Sequence, residues 1–490
     1  METDPKNLHI LFIPLMAPGH MNPLIDMARL FAARGVNCTI LTTPINASRF
    51  QATIDRDTLS GLRIQTHILQ FPCSEAQLPQ NCENVDLLPS RDLTPNFAKA
   101  TTLLHPQTDD LVKTHLPDAI ISDLNFPWTV EIAQKYNIPR LVFHGSSCFA
   151  SAVTASVNYF LSHMNITSET EPFLVPGLPD VIYVTKAQLP IRSMRNMNLG
   201  EFFNQVREAD RNTLSAVVNS FYGLEPDYIT HYEKLTGKKV WTLGPVSLLN
   251  KDFASKSIRG NKSAIDEAQC LAWLDSKKPK SVLYVCFGSL CHFAESQIQE
   301  IGSGLEDSGY PFIWVIKESD SGGLPDGFME RVEGRGLVIK GWAPQVMILS
   351  HGSIGGFMTH CGWNSVLESV SYGLPMISWP LFAEQFYNQR FVLDLVKVGV
   401  GIGVERGLDW GEEESIGALV SKERVKEVVT QFMGDEDEVR EMRERASRLG
   451  EMARSAVEEG GSSYENMGLL IEELLTKKSE KLNSARKVFL

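Results

Sequence analysis

The chain has 490 residues, a net charge of −13 and a hydrophobic content of 43%. This length exceeds what one core ordinarily supports, so two domains are expected, and the composition is typical of a globular protein. The acidic balance disfavours a nucleic-acid partner, because no basic field exists to displace counterions from phosphates.

The N-terminus is acidic, and no apolar run approaches the ~20 residues that span a membrane. We therefore predict a cytoplasmic protein without stable membrane insertion. The eight cysteines are scattered, and they form neither a Cys-x-x-Cys pair nor a spacing typical of zinc sites. Free thiols in a reducing compartment are the expected state.

Short apolar runs alternate with amphipathic helical patterns in the first half of the chain. The predicted strands cover residues 9–14, 36–42, 119–122, 139–143, 215–220 and 239–243. A helix over 22–34 ends where Gly35 is suited to follow it, and another helix lies around 130–136. This βαβα order predicts a parallel, doubly wound sheet.

The polar segment 248–268 lacks apolar periodicity and is interpreted as a linker. The pattern then restarts with a helix over 296–308 and with strands over 281–287, 311–316, 336–340, 355–359 and 375–378. Charged helices follow over 422–434, 437–458 and 463–475, and the basic tail 477–490 is expected to fray.

The predicted fold class is therefore α/β, with two doubly wound parallel-sheet domains facing across a cleft at the carboxyl ends of both sheets. The first domain spans residues 1–247 and the second spans 269–460, with the linker over 248–268. Residues 461–490 are expected to form a helix that packs back towards the first domain, followed by the tail.

A histidine and an aspartate follow two of the first strands. His20 comes after the strand over 9–14, and Asp123 follows the strand over 119–122, so both are expected at carboxyl strand ends. Histidine is the usual general base near neutral pH, and a carboxylate partner fixes its tautomer. Asp118 precedes its strand and should point to the far side. A loop histidine without chemistry is the alternative for His20 alone.

Residues 342–385 contain the parts needed to hold a nucleotide joined to a sugar. Trp342 can stack on a base, although core packing is the alternative. Residues 359–365 form a Gly-rich turn into a helix over 366–372, whose positive end favours a diphosphate. The candidate binding residues are Gly19, Ser289, Trp342, Ala343, Gln345, His360, Gly362, Trp363, Asn364, Ser365, Glu368, Glu384 and Gln385.

Two common nucleotide motifs are missing from the sequence. No Gly-x-Gly-x-x-Gly follows the first strand, and no Gly-x-x-x-x-Gly-Lys-Ser/Thr occurs. Nicotinamide enzymes and P-loop NTPases are therefore disfavoured.

Residues 342–385 resemble, over their whole length, the signature box of plant secondary-product UDP-glycosyltransferases. The resemblance extends to the His20 loop, to Asp123 and to short motifs at residues 219–221, 244–246, 273–275 and 287–289. It implies a GT-B fold, an inverting mechanism, UDP-glucose as co-substrate, and neither a metal nor another cofactor.

The resemblance also implies roles for individual residues. His20 would be the base and Asp123 its partner, and Trp342 would stack on uracil beside Ala343 and Gln345. The implied ligands are His360, Asn364 and Ser365 for the diphosphate, Glu368 for the ribose, and Trp363, Glu384 and Gln385 for the sugar. Three residues depart from the family's commoner pattern, namely Pro18, Asn22 and Cys286.

The sequence therefore predicts a monomeric glucosyltransferase whose partners are a UDP-sugar and a hydrophobic small molecule. A triterpenoid or steroidal aglycone is favoured, because residues 244–268 and the C-terminal helices look most like that branch. A flavonoid or another phenol is the alternative acceptor. A UDP-sugar-binding protein without turnover and a dehydrogenase are two further readings, of which the second lacks its glycine fingerprint.

Overall fold

A computed structural model of the protein describes residues 4–190, 200–408 and 413–488. Its contacts divide the chain into two compact units. The first unit comprises residues 1–145, 197–249 and 455–490, and the second comprises residues 146–196 and 250–454. The predicted domain boundaries stay a prediction.

Two parallel sheets form the framework of the two units. The strands of the described residues are β1 (His9–Ile13), β2 (Asn37–Thr42), β3 (Ile64–Ile68), β4 (Ala119–Asp123), β5 (Arg140–His144), β6 (Phe173–Leu174), β7 (Tyr183–Val184), β8 (Ser215–Val218), β9 (Val240–Thr242), β10 (Val282–Cys286), β11 (Phe312–Ile316), β12 (Gly336–Lys340), β13 (Ile354–Thr359), β14 (Met376–Ser378) and β15 (Gly399–Gly401). The first sheet has the order β3-β2-β1-β4-β5-β8-β9, and the second has the order β12-β11-β10-β13-β14-β15. This arrangement confirms the predicted doubly wound α/β class.

Helices connect the strands. Those of the first unit and their neighbours in the chain are α1 (Pro18–Ala33), α2 (Pro44–Ser48), α3 (Gln51–Leu59), α4 (Thr94–Thr102), α5 (His105–His115), α6 (Thr129–Lys135), α7 (Cys148–Phe160), α8 (Gly200–Arg211) and α9 (Pro226–Thr236). They are followed by α10 (Phe253–Ser257), α11 (Glu267–Asp275), α12 (Glu295–Ser308), α13 (Phe328–Arg331), α14 (Gln345–Leu349), α15 (Trp363–Ser371), α16 (Gln385–Arg390), α17 (Glu413–Ile416), α18 (Lys422–Met433), α19 (Asp437–Val457) and α20 (Ser462–Val488). Among the described residues, no helix is both long enough and apolar enough to cross a bilayer.

Successive residues of β1 pack into cores on opposite faces of the first sheet. Ile10 and Phe12 lie in a core with α1 and α20, whereas Leu11 and Ile13 lie in a core with α4, α5 and α6. Burial on both faces explains why this strand is a continuous apolar run rather than an alternating one. In the second sheet, Leu283 and Val285 of β10 pack in one core with α12 and α18.

Helix α1 begins earlier than predicted. It starts at Pro18 instead of residue 22, because proline suits the first helical position, where an N–H would have no intrahelical partner. His20 therefore lies in the first helical turn and not in the loop before it. Gly35 follows the helix end with a φ of +87°, as expected of a left-handed residue at that position.

The segment predicted as an unstructured linker contains α10 and the start of α11. Both helices begin with an aspartate N-cap. Such a cap is hard to recognise in a segment that is polar throughout. Asp252 accepts from the Ser255 N–H at 2.8 Å, and Asp266 accepts from the Gln269 N–H at 2.9 Å. Polarity here therefore reflects capping and does not mean a lack of structure.

The prediction of a frayed basic tail is wrong up to Val488, because α20 continues to that residue. Lys478 Nζ donates to Asp118 Oδ2 at 2.9 Å, and Lys481 Nζ donates to the Tyr136 carbonyl at 2.9 Å. These two lysines therefore attach the helix to Asp118 and Tyr136 of the same unit. Asp118 lies at the amino end of β4, far from the carboxyl edge, as predicted.

The strand order reverses once in each sheet. In the first sheet the chain runs outward from β1 to β3 and then returns to β4 on the other side of β1. In the second sheet the same reversal separates β10 from β13. The carboxyl ends of such neighbouring strands are where doubly wound sheets bind ligands.

Candidate active site

His20 and Asp123 lie at the reversal point of the first sheet. His20 occupies the first turn of α1, directly after β1, and Asp123 is the last residue of β4. His20 Nδ1 lies 2.7 Å from Asp123 Oδ2. The imidazole is 33% exposed, whereas the carboxylate is fully buried. The predicted contact is therefore present, and the chemical roles of the two groups stay predictions.

Asp123 is held as a carboxylate. Its Oδ1 accepts two hydrogen bonds of 2.9 Å, from the backbone N–H and from the side-chain amide of Asn125. Burial disfavours the charge, but the attraction of His20 and these hydrogen bonds outweigh that cost and lower the pKa of Asp123. An acceptor-only carboxylate requires His20 Nδ1 to carry the proton, so Nε2 is the atom that can accept one.

Gly145 lies directly against the His20 ring. It follows β5, and a Cβ built on it would lie 2.6 Å from Cε1 and 2.7 Å from Nδ1 of His20. Carbon and nitrogen atoms do not approach this closely without a bond, so any larger residue would displace the imidazole. The local sequence shows only that a glycine, which permits close approach of the backbone, follows the strand; it does not predict His20 as the partner.

His360 is enclosed by two glycines at the reversal point of the second sheet. A Cβ on Gly288 would lie 2.6 Å from Cε1 of His360, and a Cβ on Gly362 would lie 2.5 Å from its Nε2. Gly288 follows β10 with a φ of +80°, and His360 follows β13. The structure thus brings the loop that carries the half-buried Ser289 next to the turn that carries His360.

The imidazole of His360 is electrically neutral at physiological pH. Burial lowers its pKa to about 4, well below the ordinary value of 6.5. A neutral imidazole still donates one N–H, but it brings no net charge to the site.

The turn between β13 and α15 presents backbone donors. The helix N-cap is Gly362, which has no side chain to accept from the N–H groups of the first turn. Cys361 has a left-handed φ of +63°, which is unusual for a residue with a side chain, and its carbonyl accepts from Asn388 Nδ2 at 2.9 Å. This strained turn places Asn364 and Ser365 in the first helical turn, beside His360.

Glu368 lies one turn into α15 and is 3% exposed. Both of its carboxylate oxygens are engaged, Oε1 by Arg259 Nη1 at 2.7 Å and Oε2 by Gln345 Nε2 at 2.7 Å. The same Nε2 lies 3.3 Å from Ser365 Oγ. The structure therefore joins three predicted ligands in one network. It adds Arg259, for which the only sequence signal is a cation in a polar segment.

Trp342 leads into this network. Its indole is half-buried, its carbonyl accepts from the Ala264 N–H at 2.8 Å, and the buried Ala343 follows it. Gln345 opens α14 three residues after Trp342. Trp342, the predicted base platform, thus lies in the loop directly before the helix that carries the Gln345 amide.

The predicted sugar ligands are more deeply placed. Trp363 is 2% exposed and lies edge-on to Phe391, with ring centroids 5.9 Å apart. The buried Gln385 uses Oε1 to accept from the N–H groups of Leu381 at 2.8 Å and Phe382 at 3.0 Å. Both acceptor positions of its Oε1 are therefore used within the protein.

The two remaining candidates lie nearer the surface of their own units. Glu384 is the half-buried N-cap residue of α16. Gly19 is exposed in the first turn of α1.

We expect the melting temperature of the wild type to fall more between about pH 7 and about pH 5 than that of His360→Gln. The pKa of His360 is about 4 in the folded state and 6.5 in the unfolded chain. Between these values the unfolded state binds more protons, so stability rises with pH across this window and falls on acidification. Glutamine keeps an N–H donor and does not titrate. Differential scanning calorimetry would measure the shift. His115→Gln, which removes an exposed histidine, should behave as the wild type, and equal pH sensitivity of all three proteins would contradict the expectation.

Comparison with known proteins gives consistent matches. The family described as "UDP-glucoronosyl and UDP-glucosyl transferase" matches residues 112–407. Scopoletin glucosyltransferase from Nicotiana tabacum is 46% identical, over 96% of this chain and 99% of that protein. UDP-glucose flavonoid 3-O-glucosyltransferase 7 from Fragaria ananassa is 45% identical, over 96% of each. The crystal structure of UGT73P12 from Glycyrrhiza uralensis, complexed with glycyrrhetinic acid 3-O-monoglucuronide, has a TM-score of 0.91 at 40% identity, over 98% of both chains.

These similarities cover nearly the whole length of the chain, so they concern both units and not one shared domain. They agree with the two doubly wound sheets and with the sites at their reversal points. The protein belongs to the UDP-glycosyltransferase family and is a plant-type glycosyltransferase with the GT-B fold.

Proposed function

We propose that the protein is a UDP-glucose-dependent O-glucosyltransferase that makes β-glucosides of hydrophobic small molecules. The observation that carries this proposal is the 2.7 Å contact between His20 and the buried Asp123 at the reversal point of the first sheet. The name of the Fragaria relative specifies UDP-glucose, which supports that donor. From the sequence, the proposed enzyme is a cytoplasmic monomer.

The proposed reaction is an in-line displacement. His20 Nε2 takes the proton of an acceptor hydroxyl as its oxygen attacks the anomeric carbon of UDP-α-glucose. The new C–O bond forms while the bond to the diphosphate breaks, so the configuration inverts and a β-glucoside results. Asp123 stabilises the imidazolium, which then releases its proton to solvent.

The proposed leaving group is UDP, which carries the negative charge that develops. The neutral N–H of His360 and the N–H groups at the start of α15 are fixed donors, and such donors stabilise charge without reorganisation. In this proposal they take the place of a metal ion. Trp342 and Glu368 would hold uracil and ribose, which orients the sugar and contributes no chemistry.

A triterpenoid or steroidal aglycone is the favoured acceptor. The Glycyrrhiza structure, which holds glycyrrhetinic acid 3-O-monoglucuronide, supports a bulky polycyclic molecule. A phenolic acceptor is the second candidate, because the names of the Nicotiana and Fragaria relatives specify scopoletin and a flavonoid. A protein that binds UDP-sugar without turnover is a third reading, which the His20–Asp123 pair disfavours.

We expect a glucosylated product when the protein is incubated with UDP-glucose and a panel of triterpenoids, steroids, flavonols and coumarins. Mass spectrometry would detect the added hexosyl unit, and the proton coupling at the anomeric carbon would assign its configuration. The yield should be the same with EDTA, since fixed donors replace the metal. Glucosylation of phenols alone would overturn the favoured acceptor class. UDP binding without any product would favour the third reading.

We expect His20→Ala to lower kcat by about 10²–10⁴-fold, which is the usual contribution of a general base. The Kd for UDP should change little, because this side chain would act on the acceptor. His115→Ala, at an exposed histidine, is the matched control and should behave as the wild type. Activity of His20→Ala within threefold of the wild type would remove His20 from the mechanism.

We expect Gly145→Ala to lower kcat by about 10²-fold, the scale of a catalytic group displaced by roughly 1 Å. The added methyl group would occupy the space of the His20 ring. Gly468→Ala is a suitable control, because a Cβ at that position of α20 has nothing within 4 Å. If the effect passes through His20, Gly145→Ala should cost little more in the His20→Ala background. Additive losses would show an effect unrelated to the imidazole.

A further inference from the structure

The segment 250–266 packs against the part of the second unit that contains Trp342, Gln345 and Glu368. Helix α10 packs against α14, and Ser255 and Ser257 on it are buried. Further along, the Ala264 N–H donates to the Trp342 carbonyl at 2.8 Å. The polar segment thus reaches the main chain of the proposed base platform, and Arg259 lies between these two attachment points.

Arg259 makes an almost completely buried ion pair with Glu368. Nη1 lies 2.7 Å from Oε1, and the two side chains are 12% and 5% exposed. Two charges in such a setting lose most of their hydration, so the pair adds little stability beyond a well-packed apolar pair. Its presence therefore calls for a reason other than stability.

The geometry of the carboxylate supplies such a reason. Arg259 holds one oxygen and Gln345 Nε2 holds the other at 2.7 Å, so the plane of the carboxylate is set from both ends. Each carboxylate oxygen accepts about two hydrogen bonds, which leaves capacity on both atoms. Two adjacent acceptors held in a fixed plane match the two adjacent hydroxyls of a ribose.

We infer that Arg259 is a positioning residue of the nucleotide site, which orients the Glu368 carboxylate to accept hydrogen bonds from both ribose hydroxyls of the UDP-sugar. The inference rests on the proposed function, because that function supplies the ribose. Arg259 itself touches neither the nucleotide nor the reacting atoms in this role. Its effect therefore passes entirely through Glu368.

The test compares the binding of UDP with that of 2′,3′-dideoxy-UDP by isothermal titration calorimetry. The wild type should prefer UDP, and Arg259→Met should weaken UDP binding by about tenfold, the scale of one hydrogen bond to a charged group. Binding of the dideoxy analogue should stay nearly unchanged, so the preference falls. Lys262→Met removes an exposed cation three residues further along the same segment, and it should keep the wild-type preference.

A second arm asks whether the effect passes through Glu368. In a Glu368→Gln background, Arg259→Met should weaken UDP binding by less than about twofold more, because the positioned carboxylate is already lost. Arg259→Lys retains the charge without the planar fork and should give an intermediate preference. If Arg259→Met fails to fold, Arg259→Lys can be measured in its place.

Three results would overturn the inference. The first is equal weakening of UDP and the dideoxy analogue, which indicates a general disturbance of the segment. The second is an additive loss in the Glu368→Gln background, and the third is a wild type without preference for UDP. The measurement needs neither acceptor nor turnover. If the protein does not transfer glucose, the ratio of the Kd values for UDP and 2′,3′-dideoxy-UDP can therefore still be measured.

Discussion

The reversal of strand order in a doubly wound sheet is the constraint on which both candidate sites depend. Where the chain turns from one half of the sheet to the other, two neighbouring strands end side by side and their connections run in opposite directions. In the first sheet this places α1 and the end of β4 together, and in the second it places the loop after β10 beside the turn after β13. The candidate site residues His20, Asp123 and His360 lie at these positions.

Two histidines at these positions show how environment assigns different properties to one residue type. His20 is partly exposed and contacts a buried carboxylate, which fixes its tautomer. His360 is packed between Gly288 and Gly362, and burial keeps its ring neutral. The same residue type therefore contacts a charged partner in the first sheet and is enclosed by main chain in the second.

Glycines contribute to both sites because they have no side chain. Gly145 allows backbone to lie against His20, while Gly288 and Gly362 do the same for His360. Each imidazole is therefore located by main chain, which is stiffer than a surrounding shell of side chains. The main chain at these glycines therefore limits the positions that each ring can take.

The fold and the positions of many candidate site residues were predictable from the sequence. Both depend on neighbouring residues or on general rules of sheet topology. Apolar runs marked most strands of the two sheets, although the edge strands β3 and β15 were not predicted. The rule that ligand sites lie at carboxyl strand ends correctly placed His20 beside Asp123, which is 103 positions away in the sequence. The contacts of Arg259 with Glu368, of Gly145 with His20 and of Lys478 with Asp118 have no such local pattern. They exist only once distant segments have packed, because the partner of a side chain is decided by the three-dimensional path of the chain. Sequence alone thus determined most of the two sheets and the edge at which His20 and Asp123 meet, and tertiary structure decided which distant groups contact one another.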